Sequence, residues 1–252
     1  MSNRFEEKTA VITGAASGIG RATALLMAAE GADLVLADIA EQGVEETREL
    51  IESAGGRATI VVANVADRAA CFALIEKAVH QTGRLDVLCN VAGMGGMRHT
   101  TDVGEDEWHR VFGVNLDGPF FLSQAAIPHL TKQKRSAIVN IASVAGLIGQ
   151  AYCAAYCASK AALVSLTKTL AVEYAKTGLR TNCICPGGVS TPILSSFAAP
   201  EDADPDYLGR LGLIPKITKP EEVADAIAFL ACDASRSLNG VSLPMDFGLT
   251  AA

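Results

Sequence analysis

The 252-residue sequence predicts an α/β protein, a three-layer doubly wound fold built on a seven-stranded parallel sheet. Three observations predict it. Short β-prone runs alternate with helical patterns along the whole chain. A glycine-rich turn, Gly14-Ala15-Ala16-Ser17-Gly18-Ile19-Gly20, joins the first such run to the first helical one. The groups best suited to chemistry fall at the ends of the β runs, where open α/β sheets bind ligands. No composition break, repeat or linker interrupts the pattern, so residues 1–252 are read as one domain.

The elements follow in order. Thr9–Thr13 is the first strand, and the helix after the glycine turn is marked by Leu25, Leu26 and Met27. Strand, glycine turn and helix together make a phosphate site. Glycines let the backbone approach a pyrophosphate, and the helix N-terminus offers free N–H groups and a positive dipole end. The spacing is G-x-x-x-G-x-G rather than the more widespread G-x-G-x-x-G. Asp33–Asp38 is the second strand, and its last carboxylate stands eighteen residues after Gly20. A carboxylate there suits a two-point grip on adenosine ribose hydroxyls and repels a 2′-phosphate, so NAD is expected as the cofactor. Ser17 and Ile39 fill the places where a phosphate-pairing base would help NADP, and Arg21 is expected to point away along its helix. Glu41–Ala54 reads as a helix, Thr59–Ala63 as a strand ending in Asn64-Val65, and Ala69–Thr82 as a helix.

Leu85–Cys89 is the fourth strand, followed by Asn90-Val91-Ala92-Gly93. Glu105–Lys132 reads as one long helix interrupted near Asn115–Pro119. The apolar run Ala137–Ala142 is a buried strand closed by Ser143. A helix then carries Tyr156 and Lys160 and runs to about Lys176. Arg180–Cys185 is the sixth strand, leading into Pro186-Gly187-Gly188-Val189-Ser190-Thr191-Pro192. Ile193–Pro215, rich in Ala, Pro and Asp, reads as a substrate lid. Glu221–Ala231 is the last long helix and Gly240–Met245 the last strand.

Tyr156 and Lys160 lie four residues apart and share one helix face. A phenol is a poor acid, with an ordinary pKa of about 10. A nearby ammonium favours the phenolate and is expected to lower that value. Ser143, thirteen residues before Tyr156, can hold the oxygen to which the phenol passes its proton. Tyr152 has tyrosine, not lysine, four residues on and is not the candidate.

Taken together, Thr13-Gly14-x-x-x-Gly18-x-Gly20, Asn90-Val91-Ala92-Gly93, Asn115, Ser143, Tyr156-x-x-x-Lys160 and Pro186-Gly187 resemble the motifs of the short-chain dehydrogenase/reductase family. The resemblance covers essentially the whole chain. It implies a Rossmann-like fold and an oxidoreductase moving hydride between NAD(H) and a secondary alcohol or ketone. It also implies roles. Tyr156 would be the acid/base, Lys160 would hold the nicotinamide ribose and feed a proton relay, Ser143 would orient the substrate, and Asn115 would distort its helix to support a relay water. Gly14, Ser17, Gly18, Ile19, Gly20, Asp38, Ile39, Asn64, Val65, Asn90, Ala92, Gly93, Pro186, Gly187, Val189 and Thr191 would meet the cofactor, Val189 through its backbone. Two positions depart from the family pattern. Val91 replaces a second asparagine, and Asn64 replaces an aspartate that accepts from the adenine amine, leaving only a carbonyl acceptor. The family association also implies a homotetramer built on the helices placed at Gly118–Lys132 and Ala155–Lys176.

The expected substrate pocket is mostly apolar, formed by Met94, Met97, Val144, Leu147, Ile148, Ile193, Leu194 and Phe197, with Gln150 and His99 as possible polar contacts. It suits a medium-sized, largely apolar alcohol. Two alternatives stay open. One is a 3-oxoacyl-carrier-protein reductase that docks an acidic carrier on Lys132, Lys134 and Arg135; the other is a non-catalytic NAD-binding regulator. Composition removes other classes. A net charge of −7 argues against nucleic acid. The opening MSNRFEEKTAVIT carries charge where a signal peptide would be apolar, and no stretch reads as a membrane span. Seven cysteines without a second Cys/His pair at zinc spacing read as reduced core residues of a cytoplasmic protein, with no metal expected.

Overall fold

Seven parallel strands form one sheet in the order β3-β2-β1-β4-β5-β6-β7 in the computed structural model, which describes residues 3–209 and 216–251. The strands are β1 (Thr9–Thr13), β2 (Asp33–Asp38), β3 (Arg57–Val62), β4 (Val87–Asn90), β5 (Ser136–Ile141), β6 (Leu179–Pro186) and β7 (Ser242–Met245). The helices are α1 (Gly18–Ala29), α2 (Glu41–Ser53), α3 (Arg68–Thr82), α4 (Glu105–Phe112), α5 (Gly118–Leu130), α6 (Ala154–Glu173), α7 (Pro205–Leu208) and α8 (Pro220–Ala231).

Strand side chains alternate between two cores, as a pleated sheet covered on both faces requires. Ala10, Ile12, Leu34, Leu36, Val87 and Cys89 face a core closed by α1, α2 and α8. Val11, Val35, Ala37, Leu88 and Ile138 face the other core, closed by α3, α5 and α6. Their one-residue offset explains why the strands read as unbroken apolar runs.

Helix ends follow local chemistry. Asp67 caps α3 by accepting from the Ala69 N–H, and Gly83 ends it at φ +75°. Pro220 opens α8, and Glu222 accepts from the Lys219 N–H at 2.7 Å. The helix expected over Glu105–Lys132 is two α-helices joined by a π-helical turn, Gly113–Asp117, and Asn115 sits inside that turn. Several ends shift. β3 starts at Arg57, two residues before its expected start, and α6 stops at Glu173 rather than Lys176. Of the expected lid, Pro192–Ser196 forms a 3-10 turn and Pro205–Leu208 one short helix, while 210–215 lie outside the described residues. Among the described residues no helix is long and apolar enough to cross a membrane.

The strand order reverses at β1, whose neighbours β2 and β4 lead to helices on opposite faces. Such a reversal leaves a crevice at the C-terminal strand ends. Packing there is tight enough to demand glycine. A Cβ on Gly20 would lie 2.0 Å from the Gly14 carbonyl oxygen. Gly20→Ala is expected to lower the unfolding free energy by about 1–3 kcal/mol, the scale of a forced overpacking. Gly149, which has open space around it, should tolerate alanine within about 0.5 kcal/mol. Urea unfolding of the two variants checks the contrast, and equal stabilities would contradict it.

Candidate active site

The crevice opens into a cavity of about 900 Å³ lined by the loops after β1, β2, β3, β4, β5 and β6. At one end the backbone itself makes the wall. Gly14 has φ +68°, and a Cβ there would sit 2.8 Å from the Ala92 nitrogen. Gly18 has φ +51°, and its Cβ would meet the Thr191 methyl at 2.8 Å. Thr13 joins the two loops, its hydroxyl accepting from the Val91 and Ala92 N–H groups at 3.0 and 3.2 Å. Ser17 precedes α1 without a side-chain cap, so the first N–H groups of that helix face the cavity free of side-chain partners. A dinucleotide pyrophosphate fits this cradle, which any side chain at Gly14 or Gly18 would fill.

Asp38 stands beside it. One carboxylate oxygen accepts from the Ala16 N–H at 3.0 Å and the other from the Ala40 N–H at 2.9 Å. The carboxylate is thereby fixed at the rim with lone pairs to spare. Arg21 is spent elsewhere. Its guanidinium donates to the Ala16 and Gly43 carbonyls at 2.6 and 3.0 Å, to Thr47 at 2.9 Å and to Glu46 at 3.0 Å. It ties α1 and the glycine turn to α2 rather than pointing away along its helix. Asn64 uses its side-chain oxygen on the Ala66 N–H at 3.0 Å, closing a local turn.

The opposite wall carries the chemistry. Ser143, just past the end of β5, accepts from the Ala145 N–H at 3.1 Å and donates to the Pro186 carbonyl at 3.5 Å, and its hydroxyl lies near enough to Tyr156 to favour the phenolate. Helix α6 places Lys160 one turn beyond Tyr156, and its ammonium donates to the Ile141 carbonyl at 2.8 Å. Asn115 does not line the cavity. It is fully buried, accepts from the Met94 N–H at 2.9 Å, and donates to the Met94 carbonyl at 2.8 Å and to Ser159 at 3.0 Å. It thus pins the loop after β4 to the π-turn and to α6.

The expected lowering of the Tyr156 pKa by Lys160 is not what the structure holds. Burial pushes the phenol up to about 12, and the Ser143 hydrogen bond opposes this only in part. Burial likewise pushes the lysine down to about 8. The ammonium is aimed at a strand carbonyl and lies 5.8 Å from the centre of the tyrosine ring. Desolvation is the leading cause for both groups.

The far end of the cavity is apolar, with Met94, Met97, Val144, Ile193, Leu194 and Phe197 in its wall. The Phe197 ring meets the Tyr156 ring edge-on, centres 5.0 Å apart. The segment carrying Phe197 is tied down at several points. Ser196 donates to the Gly95 carbonyl at 2.7 Å, the Asp204 N–H donates to the Tyr152 hydroxyl at 2.9 Å, and His99 pairs with Asp202 at 2.8 Å.

Comparison with known proteins supplies the family. A family model described as Enoyl-(Acyl carrier protein) reductase matches residues 14–250. A 3-oxoacyl-[acyl-carrier-protein] reductase of Thermotoga maritima is 40% identical, over 98% of this chain and 99% of its own. The meso-2,3-butanediol dehydrogenase of Serratia marcescens is 39% identical, over 99% of this chain and 97% of its own. The chain belongs to the short-chain dehydrogenase/reductase family. A solved short chain dehydrogenase from Mycobacterium paratuberculosis bound to NAD superposes with a TM-score of 0.93 at 30% identity, covering 99% of this chain and all of that one. The chain is accordingly an enzyme of the oxidoreductase class acting on CH–OH groups.

Within this family frame, some expected site residues fall elsewhere. Asn90 lies beneath the cavity, donating to Asn140 at 2.8 Å, and is a strand-to-strand link rather than a cofactor contact. Val91, the departure from the family motif, lines the cavity and packs on the α1 side of the sheet, its N–H held by Thr13. Leu147, Ile148 and His99 stand outside the cavity wall. The basic group Lys132, Lys134 and Arg135 precedes β5, at the N-terminal end of the strands, opposite the cavity, and Arg135 is paired with Asp233 at 2.9 Å. Other wall residues went unread in the sequence, among them Gly95, Arg110, Val114 and Cys153. Gly95 had a signal, a glycine pair just past the fourth strand. A Cβ there would meet the Tyr156 ring at 2.4 Å.

Proposed function

We propose that this enzyme oxidises a neutral, medium-sized, largely apolar secondary alcohol to its ketone with NAD, and runs the reverse with NADH. The juxtaposition of Ser143, Tyr156 and Lys160 with an apolar hollow at one end of a cavity, and of Asp38 with the glycine cradle at the other, carries this reading. When bound, the dinucleotide supplies the hydride acceptor. Gly14, Gly18 and the start of α1 would hold its pyrophosphate, Asp38 its adenosine ribose, and Val189 and Thr191 its nicotinamide end. Ser143 donates to the substrate oxygen and sets it against the tyrosine. Tyr156 takes the hydroxyl proton in oxidation and returns it in reduction. Lys160, poised near neutral pH by its burial, passes that proton onward. Asn115 keeps Met94 and α6 in register so that these groups stay aligned.

The segment from Ile193 onward serves as the lid, on the same single domain. With seven free thiols and no apolar span among the described residues, a cytoplasmic location fits best. Reduction of carrier-bound acyl chains, the activity named for the Thermotoga maritima relative, is the second reading. The basic group that would dock such a carrier lies at the opposite end of β5, about 20 Å of strand away at 3.3 Å per residue.

A homotetramer is the expected assembly. Phe120 on α5 and Val172 on α6 are exposed, Val172 by 79%, and helix pairing between copies would cover them. Light scattering at micromolar concentration should return four times the 26.2 kDa chain mass, and a monomeric mass would overturn this.

Tyr156→Phe should lose at least ~10²-fold in turnover, the scale of general acid–base catalysis, while NADH binding measured by fluorescence persists. In the free enzyme the raised phenol, at about 12, should contribute no phenolate absorbance through pH 9. A wild-type-minus-Tyr156→Phe difference titration reads this directly. A phenolate step near neutral pH would show that charge pairing, not burial, governs the tyrosine.

Cofactor choice follows from Asp38. NADP would lose one ribose donor and set a phosphate dianion against a carboxylate that Ala16 and Ala40 hold in place. NAD should be preferred by at least ~10²-fold in kcat/KM, about 2.7 kcal/mol at 1.36 per decade. Asp38→Ala should narrow that gap. Equal efficiency with both cofactors in the unmutated enzyme would remove Asp38 from the ribose site.

A further inference from the structure

We infer that the substrate carries a second neutral oxygen, a hydroxyl or carbonyl besides the reacting one, and that Gln150 selects for it. The inference rests on the reaction proposed above. The substrate end of the cavity is walled by Met94, Val144, Ile193, Leu194 and Phe197, none of which bonds an oxygen well. Its polar side chains are few, and most are committed. Ser143 is engaged with the Ala145 N–H and the Pro186 carbonyl. The Ser196 hydroxyl is turned to the Gly95 and Ile193 carbonyls, each at 2.7 Å. Gln150 differs. It lines the cavity, is half-buried, and its side-chain amide has no hydrogen-bond partner among the described residues. A half-buried amide facing apolar walls gains from a ligand oxygen that would otherwise leave water for nothing.

The chemistry of the amide defines the ligand group. It offers two N–H donors and one carbonyl acceptor, so it takes a carbonyl or a hydroxyl equally well. It bears no charge and gives a carboxylate no counter-ion. The cations of the cavity do not serve there. Lys160 is pinned to the Ile141 carbonyl, and Arg110 stands one helical turn from Val114, at the end where Ala66 lies against the π-turn. A diol, hydroxyketone or dione therefore fits this end, and a hydroxy acid does not.

Gln150 is also well placed to discriminate. Its backbone carbonyl accepts from the Cys153 N–H at 3.3 Å, and Cys153 caps the helix that carries Tyr156. The loop is thereby referenced to the catalytic helix through its first turn. The Gln150 backbone and the phenol are thus tied to the same helix end, which limits the span between the two substrate oxygens.

The test is a set of kcat/KM values with NAD for cyclohexanol and for cyclohexane-1,2-, 1,3- and 1,4-diol, in wild type, Gln150→Leu and Gln150→Asn. At least one diol should exceed cyclohexanol by about tenfold, the scale of one neutral hydrogen bond. Gln150→Leu should collapse that diol-to-cyclohexanol ratio towards one, mainly through KM, and Gln150→Asn should restore part of it. Bound NADH fluorescence reports whether each variant keeps its fold and cofactor site. Turnover of cyclohexanol with no diol preferred overturns this inference alone. So does a Gln150→Leu variant that lowers all four substrates in equal proportion. Failure to turn over any alcohol or corresponding ketone overturns the proposed reaction, and this inference with it.

Discussion

A lysine ammonium deep in the protein sets many of the terms on which this fold is built. Lys160 is 3% exposed. Burying a charge costs several kcal/mol unless polar groups meet it. The Ile141 carbonyl, at the end of β5, meets it at 2.8 Å. Bringing a helix close enough for that contact forces small residues around it. A Cβ on Gly146 would lie 2.7 Å from the Lys160 carbonyl oxygen, and one on Gly93 would lie 3.4 Å from the ammonium itself. Gly146 is thus the residue that lets the backbone of the helix carrying this cation approach the segment after β5. The cation's cost is also its use, because a lysine brought down to about 8 exchanges its proton near neutral pH.

Around that cation the strand ends are joined by side-chain rungs that supplement the backbone ladder. Thr13 holds the backbone after β4, Asn90 reaches Asn140, and Asn140 reaches Thr167 on α6 at 2.9 Å. Asn115 adds the loop at Met94 and Ser159. Each group is buried, so breaking one rung strands its partner, and loss of either partner is felt across the network. Arg180 does similar work at the other edge, donating to the carbonyls of Leu230 and Cys232 at 2.8 and 3.0 Å where α8 ends. The rigidity of the cavity floor comes from these links more than from any one core contact.

The sequence made the fold and most of the site legible because the relevant signals are local. Gly14 to Gly20, Asp38, and Tyr156 with Lys160 each declare themselves within one strand–turn–helix or one helical turn. What stayed illegible depends on distance in space. Charge pairing between Tyr156 and Lys160 follows from spacing, but burial, which outweighs it, is a property of the assembled cavity. The direction of Lys132, Lys134 and Arg135 could not be read from a helix end; it follows from their lying at the start of β5 rather than its finish. His99 looked like a polar contact for substrate and instead meets Asp202, a hundred residues on in a loop without periodicity. Asn90 belongs to the rungs because β5 lies beside β4, which the sequence order alone does not specify.

The two halves of the cavity are made of different material, and that difference bears on what can vary. The dinucleotide half is backbone: glycines at positive φ, free N–H groups, and a carboxylate fixed by two more. Side-chain exchange there has little room, since the space a Cβ would take at Gly14, Gly18 or Gly20 is already filled by other atoms. The substrate half is mainly side chains on the segments after β4, β5 and β6, with Gly95, Gly96 and Gly146 the confined backbone positions there. Those segments can exchange Met94, Gln150, Leu194 or Phe197 without disturbing a strand. Two relatives near 40% identity over almost their full lengths, one an acyl-carrier-protein reductase and one a butanediol dehydrogenase, show that overall identity at this level does not fix the alcohol. Substrate is for that reason better sought in the unpaired amide of Gln150 than in the resemblance of the whole.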